Sequence, residues 1–333
     1  MKTLKKLSAL LLAFILVFSL CACTGKSENP GNEPESASDE ERQVKTKVAA
    51  LNDLTGIGLA KVKTDRDYAY DVTYHNDSGE IVSMLTKGEV DIAALPLDLA
   101  AKLYNETNGG IKILSVNALG ILHVLEKGKT IKSVADLKGK KIYASGQGDT
   151  PEYVINYVLG ENGIDPESDV TVEYKGTDDE ITALATEGNA DVVILPEPFA
   201  SKVIKAGKGF REALDLTKEW SKINDTQSAM GCIVARSEYI DANPDIISEF
   251  MTFNEVSLNY MSSSPDAPVI LYEIGMIEKT DVELYVDVIP RCHMEFIAGE
   301  EMKAAVEATL KVLFDADPDS VGGEIPDEKI YYM

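Results

Sequence analysis

The chain has 333 residues, 56 of them acidic and 32 basic, for a formal net charge of −24 at pH 7. That excess of negative charge excludes nucleic acid and anionic lipid surfaces as electrostatic partners. Only two of the four cysteines, Cys232 and Cys292, lie beyond the first 23 residues, too few for a disulfide framework. The roughly 290 residues after the first 43 exceed what one hydrophobic core usually serves, so two lobes are expected.

The first residues predict export. Lys2, Lys5 and Lys6 precede an apolar run over 7–20 that is too short to span a ~30 Å hydrocarbon core as a helix. Residues 1–22 therefore read as a signal peptide. Leu20-Cys21-Ala22-Cys23 resembles the bacterial lipobox, which makes Cys23 the lipidated residue; Cys21 fits less well because Phe18 stands where Leu is preferred. Residues 23–44 are rich in Ser, Glu, Asp, Asn and Pro and bury almost nothing, so they read as a flexible tether. Removal of 1–22 takes away three lysines and no acid, which makes the mature chain more acidic still. Of the remaining cysteines, Cys232 and Cys292 read as two buried thiols, with a single bridge between them as the alternative.

An internal duplication follows. Residues 80–103 (EIVSMLTKGEVDIAALPLDLAAKL) and 180–203 (EITALATEGNADVVILPEPFASKV) align without a gap at an offset of 100. Each copy has an amphipathic helix ending at a glycine, Gly88 or Gly188, where a left-handed cap is allowed. An acid, a short apolar run and a proline come next, the pattern of a buried parallel strand stopped before a second helix. Upstream, residues 48–51 and 142–145 read as strands entering polar, glycine-bearing turns, and 70–74 and 170–174 as further strands. Each lobe thus reads strand, helix, strand, helix, strand, helix. Right-handed parallel units put all their strand-to-helix turns at the carboxyl edge of the sheet, where ligands sit in open α/β folds.

Chain order predicts that the second lobe is inserted in the first. The apolar stretch 118–124 carries the chain across, and residues 134–140 open the second lobe with a short helix and turn. The chain returns near Met230 into a strand over 231–235. The expected organisation is lobe 1 over 45–126 and 229–333 and lobe 2 over 127–228. The tail is mostly helical, over 245–261 behind Asn243-Pro244 and over 300–314. Two crossings make a hinge suited to closing on a ligand.

The folded region, about 45–333, resembles the solute-binding proteins of ABC importers. Within them it is similar to the nitrate, sulfonate and taurine group and to binders of thiamine pyrimidine precursors. The resemblance rests on Gly88-Glu89-Val90-Asp91-Ile92-Ala93 with Leu95-Pro96, Asp136-Leu137-Lys138-Gly139-Lys140, residues 146–152, Leu195-Pro196-Glu197-Pro198-Phe199, and Val321-Gly322-Gly323. It implies an α/β, two-lobed periplasmic-binding-protein-like fold of type II, with a ligand cleft between lobes and two crossovers. The implied partners are a small-molecule ligand and an ABC permease with its ATPase. The implied location is extracytoplasmic, as a monomer held to the membrane by the Cys23 lipid.

Candidate ligand contacts come from the turns at the carboxyl edges. In 146–151, glycines allow close backbone approach and a helix N-terminus offers free amides, which nominates Gln147, Gly148, Asp149 and Thr150; Asp149 or Thr150 could equally be an ordinary helix cap. The matching turn of lobe 1 nominates Asp53, Thr55 and Gly56. The duplicated turns after the buried strands nominate Pro96, Asp98, Glu197 and Phe199, where the prolines could instead only break the strand and the acids only cap the next helix. Asn117, beside a crossing, is also nominated. Trp220 reads as a packing residue, with ligand stacking as the alternative, and His75, His123 and His293 have no metal-ligand spacing, so no metal site is expected.

No catalytic residue and no cofactor are expected. Relatives that synthesise a pyrimidine precursor carry a cysteine-dense run absent here, and Gly-x-Ser-x-Gly, His-Glu-x-x-His and phosphate-loop motifs are also missing. A surface lipoprotein acting as sensor or adhesin is the competing class. The nominated turns contain four acids, Asp53, Asp98, Asp149 and Glu197, and no basic residue. A buried anion usually finds an Arg or Lys, so the expected ligand is neutral or amine-bearing, such as a pyrimidine-like heterocycle, rather than a sulfonate, taurine or nitrate.

Overall fold

The computed structural model describes residues 45–65 and 70–333. Cys23, the signal segment and the tether lie outside them. Two five-stranded sheets organise the chain.

The first sheet is built from β1 (Thr46–Leu51), β2 (Tyr70–His75), β3 (Ile92–Pro96) and β4 (Ile111–Ala118). The helices α1 (Leu54–Ile57), α2 (Ala60–Thr64), α3 (Ser78–Lys87) and α4 (Leu97–Glu106) lie between its strands. The second sheet opens with β5 (Leu122–Lys127), followed by β6 (Lys141–Ala144), α5 (Thr150–Glu161), β7 (Thr171–Tyr174), α6 (Asp178–Glu187), β8 (Val192–Pro196), α7 (Phe199–Lys205), β9 (Phe210–Asp215) and α8 (Leu216–Ile223). The chain then returns to the first sheet as β10 (Gly231–Arg236) and ends in a helical segment with α9 (Ser237–Ala242), α10 (Pro244–Ser263), α11 (Ala267–Glu273), α12 (Val282–Val288) and α13 (Gly299–Ala316).

Strand order is β2-β1-β3-β10-β4 in the first sheet and β7-β6-β8-β5-β9 in the second. In each, the strand that arrives from the other sheet runs antiparallel to its neighbours: β10 against β3 and β4, and β5 against β8 and β9. Two crossings join the lobes as the chain order predicts, but the reversed strand in each sheet is not foreseen by the parallel units expected from the duplication. The first crossing comes earlier than the boundary drawn at residue 126. Only Leu119, Gly120 and Ile121 separate β4 from β5, and the apolar run through them is continuous, so hydropathy does not mark the change of sheet.

The duplication is visible residue by residue. α3 and α6 both end on a left-handed glycine, Gly88 at φ 70° and Gly188 at φ 86°. β3 and β8 bury four consecutive residues each, as strands covered on both faces do. Alternate side chains of the first sheet feed two cores. Ala49, Ala93, Leu95, Cys232 and Val234 pack with α3, α4 and α13, while Val48, Ala50, Ile92, Ala94 and Ile233 pack with α2 and α10. In the second sheet Ile142, Ala144, Val192 and Ile194 face α5, and Leu125, Val193 and Leu195 face α6 and α7.

Candidate functional site

A cleft of about 540 Å³ lies where the carboxyl edges of the two sheets face each other. Asn52, Asp53, Leu54 and Thr55, on the turn from β1 into α1, line it from the first lobe with Pro96 and Ala118. From the second lobe come Ser145, Thr150, Pro151 and Val154 around the start of α5, Asp178 at the start of α6, Pro196 through Phe199, and Leu216, Thr217 and Trp220 of α8. The crossing segment Leu119–Leu122 lines the hinge side. A third wall comes from Leu271, Met276, Ile277, Tyr285, Val288 and Cys292 of the C-terminal helical segment.

Six of the twelve nominated residues, Asp53, Thr55, Pro96, Thr150, Glu197 and Phe199, are on this lining. The other six are not, and each has a local reason. Gln147, Gly148 and Asp149 are exposed to solvent. The Gly148 amide is held by the Glu152 carboxylate at 2.6 Å, and Asp149 caps α5 by accepting from the Thr150 amide at 2.8 Å. Asp98 sits in the first turn of α4, off the cleft, where burial raises its pKa and the Leu99 amide opposes the rise. Gly56 packs inward against the Leu51 carbonyl and the Tyr74 ring. Asn117 is buried beneath the β1–α1 turn and supports it, its Nδ2 donating to the Thr55 carbonyl at 2.7 Å.

Of the acids on the lining, Asp53 accepts from both the amide (2.8 Å) and the hydroxyl (2.7 Å) of Thr55 and so caps α1. Glu197 is buried, accepts from the amide and hydroxyl of Ser201, and is ion-paired with Arg291. Its charge is balanced by Arg291, and both of its oxygens already accept hydrogen bonds from the protein. Asp178, not nominated from sequence, accepts from the Ser145 hydroxyl at 2.6 Å. Burial raises its pKa, the Ser145 bond opposes the rise, and Asp179 adds to it.

Trp220 does more than pack. It is 1% exposed and tilts against Tyr157 at a centroid distance of 4.9 Å, yet it also lines the cleft, and its Nε1 has no partner among the described residues. The third wall was missed because α11 and α12 are short helices with no motif; only packing on α10 places them at the cleft. Cys292, on that wall, and Cys232 are both buried free thiols.

Behind Glu197 lies a polar cluster on the hinge side. The fold brings together two histidines that sequence spacing kept apart: the His123 and His293 rings stack at 6.2 Å. His123 Nδ1 lies 3.3 Å from Glu212, Arg291 pairs with Glu212 at 2.5 Å, and Asp215 pairs with His293 at 2.8 Å and Lys218 at 2.9 Å. His123, Glu212 and Asp215 bring one donor atom each within 4.8 Å of one another, a spacing open to a metal ion. Arg291, His293 and Lys218 already occupy those carboxylates, so the side chains present form an ion-pair network.

Two lobes with reversed exchange strands and a cleft at their facing carboxyl edges define a periplasmic-binding-protein-like fold. Residues 70–268 match the family model described as NMT1/THI5 like, and the chain belongs to that family. Among solved structures, it is similar to an ABC transporter from Parabacteroides distasonis, at 24% identity over 87% of this chain and 99% of that one, with a TM-score of 0.73. It is similar also to the periplasmic aliphatic sulphonate binding protein SsuA from Escherichia coli (16% identity, 87% and 92% covered, TM-score 0.66). The periplasmic nitrate-binding protein NrtA from Synechocystis PCC 6803 is a third (14%, 84% of each chain, TM-score 0.53). At these identities the likeness establishes the fold alone. No curated protein sequence matches the chain.

Proposed function

We propose that this protein is the solute-binding component of an ABC importer, capturing a small solute between its lobes and handing it to a permease with its ATPase. The observation that carries the reading is the cleft itself: a largely apolar space, partly open to solvent, between two carboxyl edges, with the lobes joined by two short crossings. Names of structures with this fold, an ABC transporter and binding proteins for sulphonate and nitrate, support the same class. The proposal includes an extracytoplasmic monomer tethered by lipid on Cys23. Among the described residues, no helix is long and apolar enough to cross a membrane.

The solute in this proposal is neutral or amine-bearing, such as a pyrimidine-like heterocycle. Among the described residues no Lys, Arg or His is on the cleft lining, while Phe199, Trp220 and Tyr285 offer ring faces. The sulphonate- and nitrate-binding relatives of the fold favour a second reading, an anion held by helix N-termini. A thermal-shift screen of amino-pyrimidines, thiamine, flavins, alkanesulfonates and nitrate separates the two. Under the proposal a heterocycle stabilises the protein by an amount that grows with its concentration, and small-angle scattering shows the lobes closing on it. Tight binding of nitrate or an amine-free sulfonate, with no response to heterocycles, would reject this view of the ligand.

A further inference from the structure

We infer that Asp178 is the residue that selects for positive charge in the cleft, so that the solute presents an amine or amidine on a flat apolar body. The inference rests on the solute-binding reading above and deepens it.

Among the described residues three carboxylates reach the lining, Asp53, Asp178 and Glu197, and only Asp178 is both partly buried and without a cationic partner. Glu197 is neutralised by Arg291 and holds Ser201. Asp53 is exposed and spends its Oδ1 on the amide and hydroxyl of Thr55. Asp178 is half-buried and has one partner, the uncharged Ser145 hydroxyl; no cation pairs with it among the described residues. A carboxylate taken out of water with no counter-charge is costly, and a cationic ligand would lift that cost with a charge-assisted hydrogen bond.

Helix architecture does not require an acid at this position. The cap of α6 is Thr177, whose hydroxyl accepts from the Glu180 amide at 3.3 Å. In the first copy of the duplication the residue 100 positions earlier is Ser78, which also begins its helix and is not on the lining. The two copies keep the same helix, glycine cap and buried strand, and differ here by a carboxylate placed in the cleft.

The test is calorimetry on the full chain with three probes of one shape: benzamidine, benzamide and benzenesulfonate. Benzamidine is expected to bind about tenfold tighter than benzamide, the gain of a hydrogen bond to a charged group, and benzenesulfonate weakest. Asp178→Asn is expected to bring the ratio of benzamidine to benzamide affinity down to about one. Asp178→Glu and Ser145→Ala, which keep the charge, are expected to retain it and guard against a folding artefact in the first variant. A benzamidine preference that survives in Asp178→Asn, a preference for benzenesulfonate, or no binding of any probe overturns the inference. The solute-binding reading falls separately, only if no member of the wider solute screen closes the lobes.

Discussion

Arg291 reaches from the C-terminal segment of the first lobe to Glu197 at the end of β8 in the second, and its Nη1 meets Glu212 of β9 at 2.5 Å. The segment carrying Arg291 is fixed to the first lobe, since the amide of Leu119 donates to the His293 carbonyl and Val116 pairs with Ile297. One guanidinium therefore joins the lobes directly beside the cleft, with His293–Asp215 and Lys205–Asp287 as flanking links.

Breaking that link should be costly. Arg291→Met leaves Glu197, whose side chain is 1% exposed, with only the His123 ring, 3.9 Å away, to offer a counter-charge, and the expected loss is about 3 kcal/mol, the lower end for a broken buried pair because Arg291 itself is partly exposed. Urea unfolding measures it. A loss below about 1 kcal/mol, the range of surface pairs, would show that the link is solvent-screened.

The same cluster sets an acid limit. Burial alone would raise the Asp215 pKa, but hydrogen bonds from His293 and Lys218 outweigh it and hold the carboxyl well below the usual range. Glu212 is lowered by the His123 ring 3.3 Å away, against burial, with help from Arg291. Groups depressed in the folded state stabilise it above their unfolded pKa, about 4, and that contribution is lost as pH falls toward the folded value. Asp215→Asn should accordingly be less stable than wild type at pH 7 and lose less on acidification to pH 3. Equal losses in both proteins would remove these pairs from the acid response.

Trp220 is the chain's single tryptophan and lines the cleft. Its emission should shift or quench on solute binding, saturating with the same midpoint as calorimetry, and Trp220→Phe should abolish the signal. A true solute that leaves the emission unchanged would place the bound molecule away from α8.

Burial pushes both the Cys292 and the Cys232 thiol up in pKa, and Glu197 adds to the effect at Cys292. Neither should react with a thiol reagent in the folded protein at neutral pH, and both should react in urea. Peptide mapping after pulse labelling distinguishes them. Because Cys292 lines the cleft and Cys232 does not, solute should slow any residual labelling at Cys292 more than at Cys232.

A methyl group on Gly56 would stand 2.0 Å from the Leu51 carbonyl oxygen and 3.0 Å from the Tyr74 ring. Gly56→Ala must displace the β1–α1 turn that carries Asp53 and Thr55. The expected cost is roughly 2 kcal/mol, as for overpacking in a core, with solute affinity falling as well. Unchanged affinity would mean that this turn does not contribute to the site.

The duplicated lobes were legible from the chain alone because they rest on local physics. Glycine caps at Gly88 and Gly188, continuous apolar runs before Pro96 and Pro196, and an exact offset of 100 need no tertiary knowledge. Turn chemistry likewise nominated Asp53, Thr55, Thr150 and Phe199, which lie on the cleft lining. What a side chain does within a turn was decided only by the folded structure, since an acid beside a helix start can cap it, as Asp149 does, or face a cavity, as Asp178 does, with the same local sequence signal. Long-range neutralisation was hidden for the same reason: Glu197 and Arg291 are 94 positions apart, and no periodicity links them. The third wall, from Leu271 to Cys292, and the meeting of His123 with His293 follow from how α10 to α12 pack on the first lobe, and that depends on shape complementarity among distant surfaces that the linear order of residues does not encode in readable form.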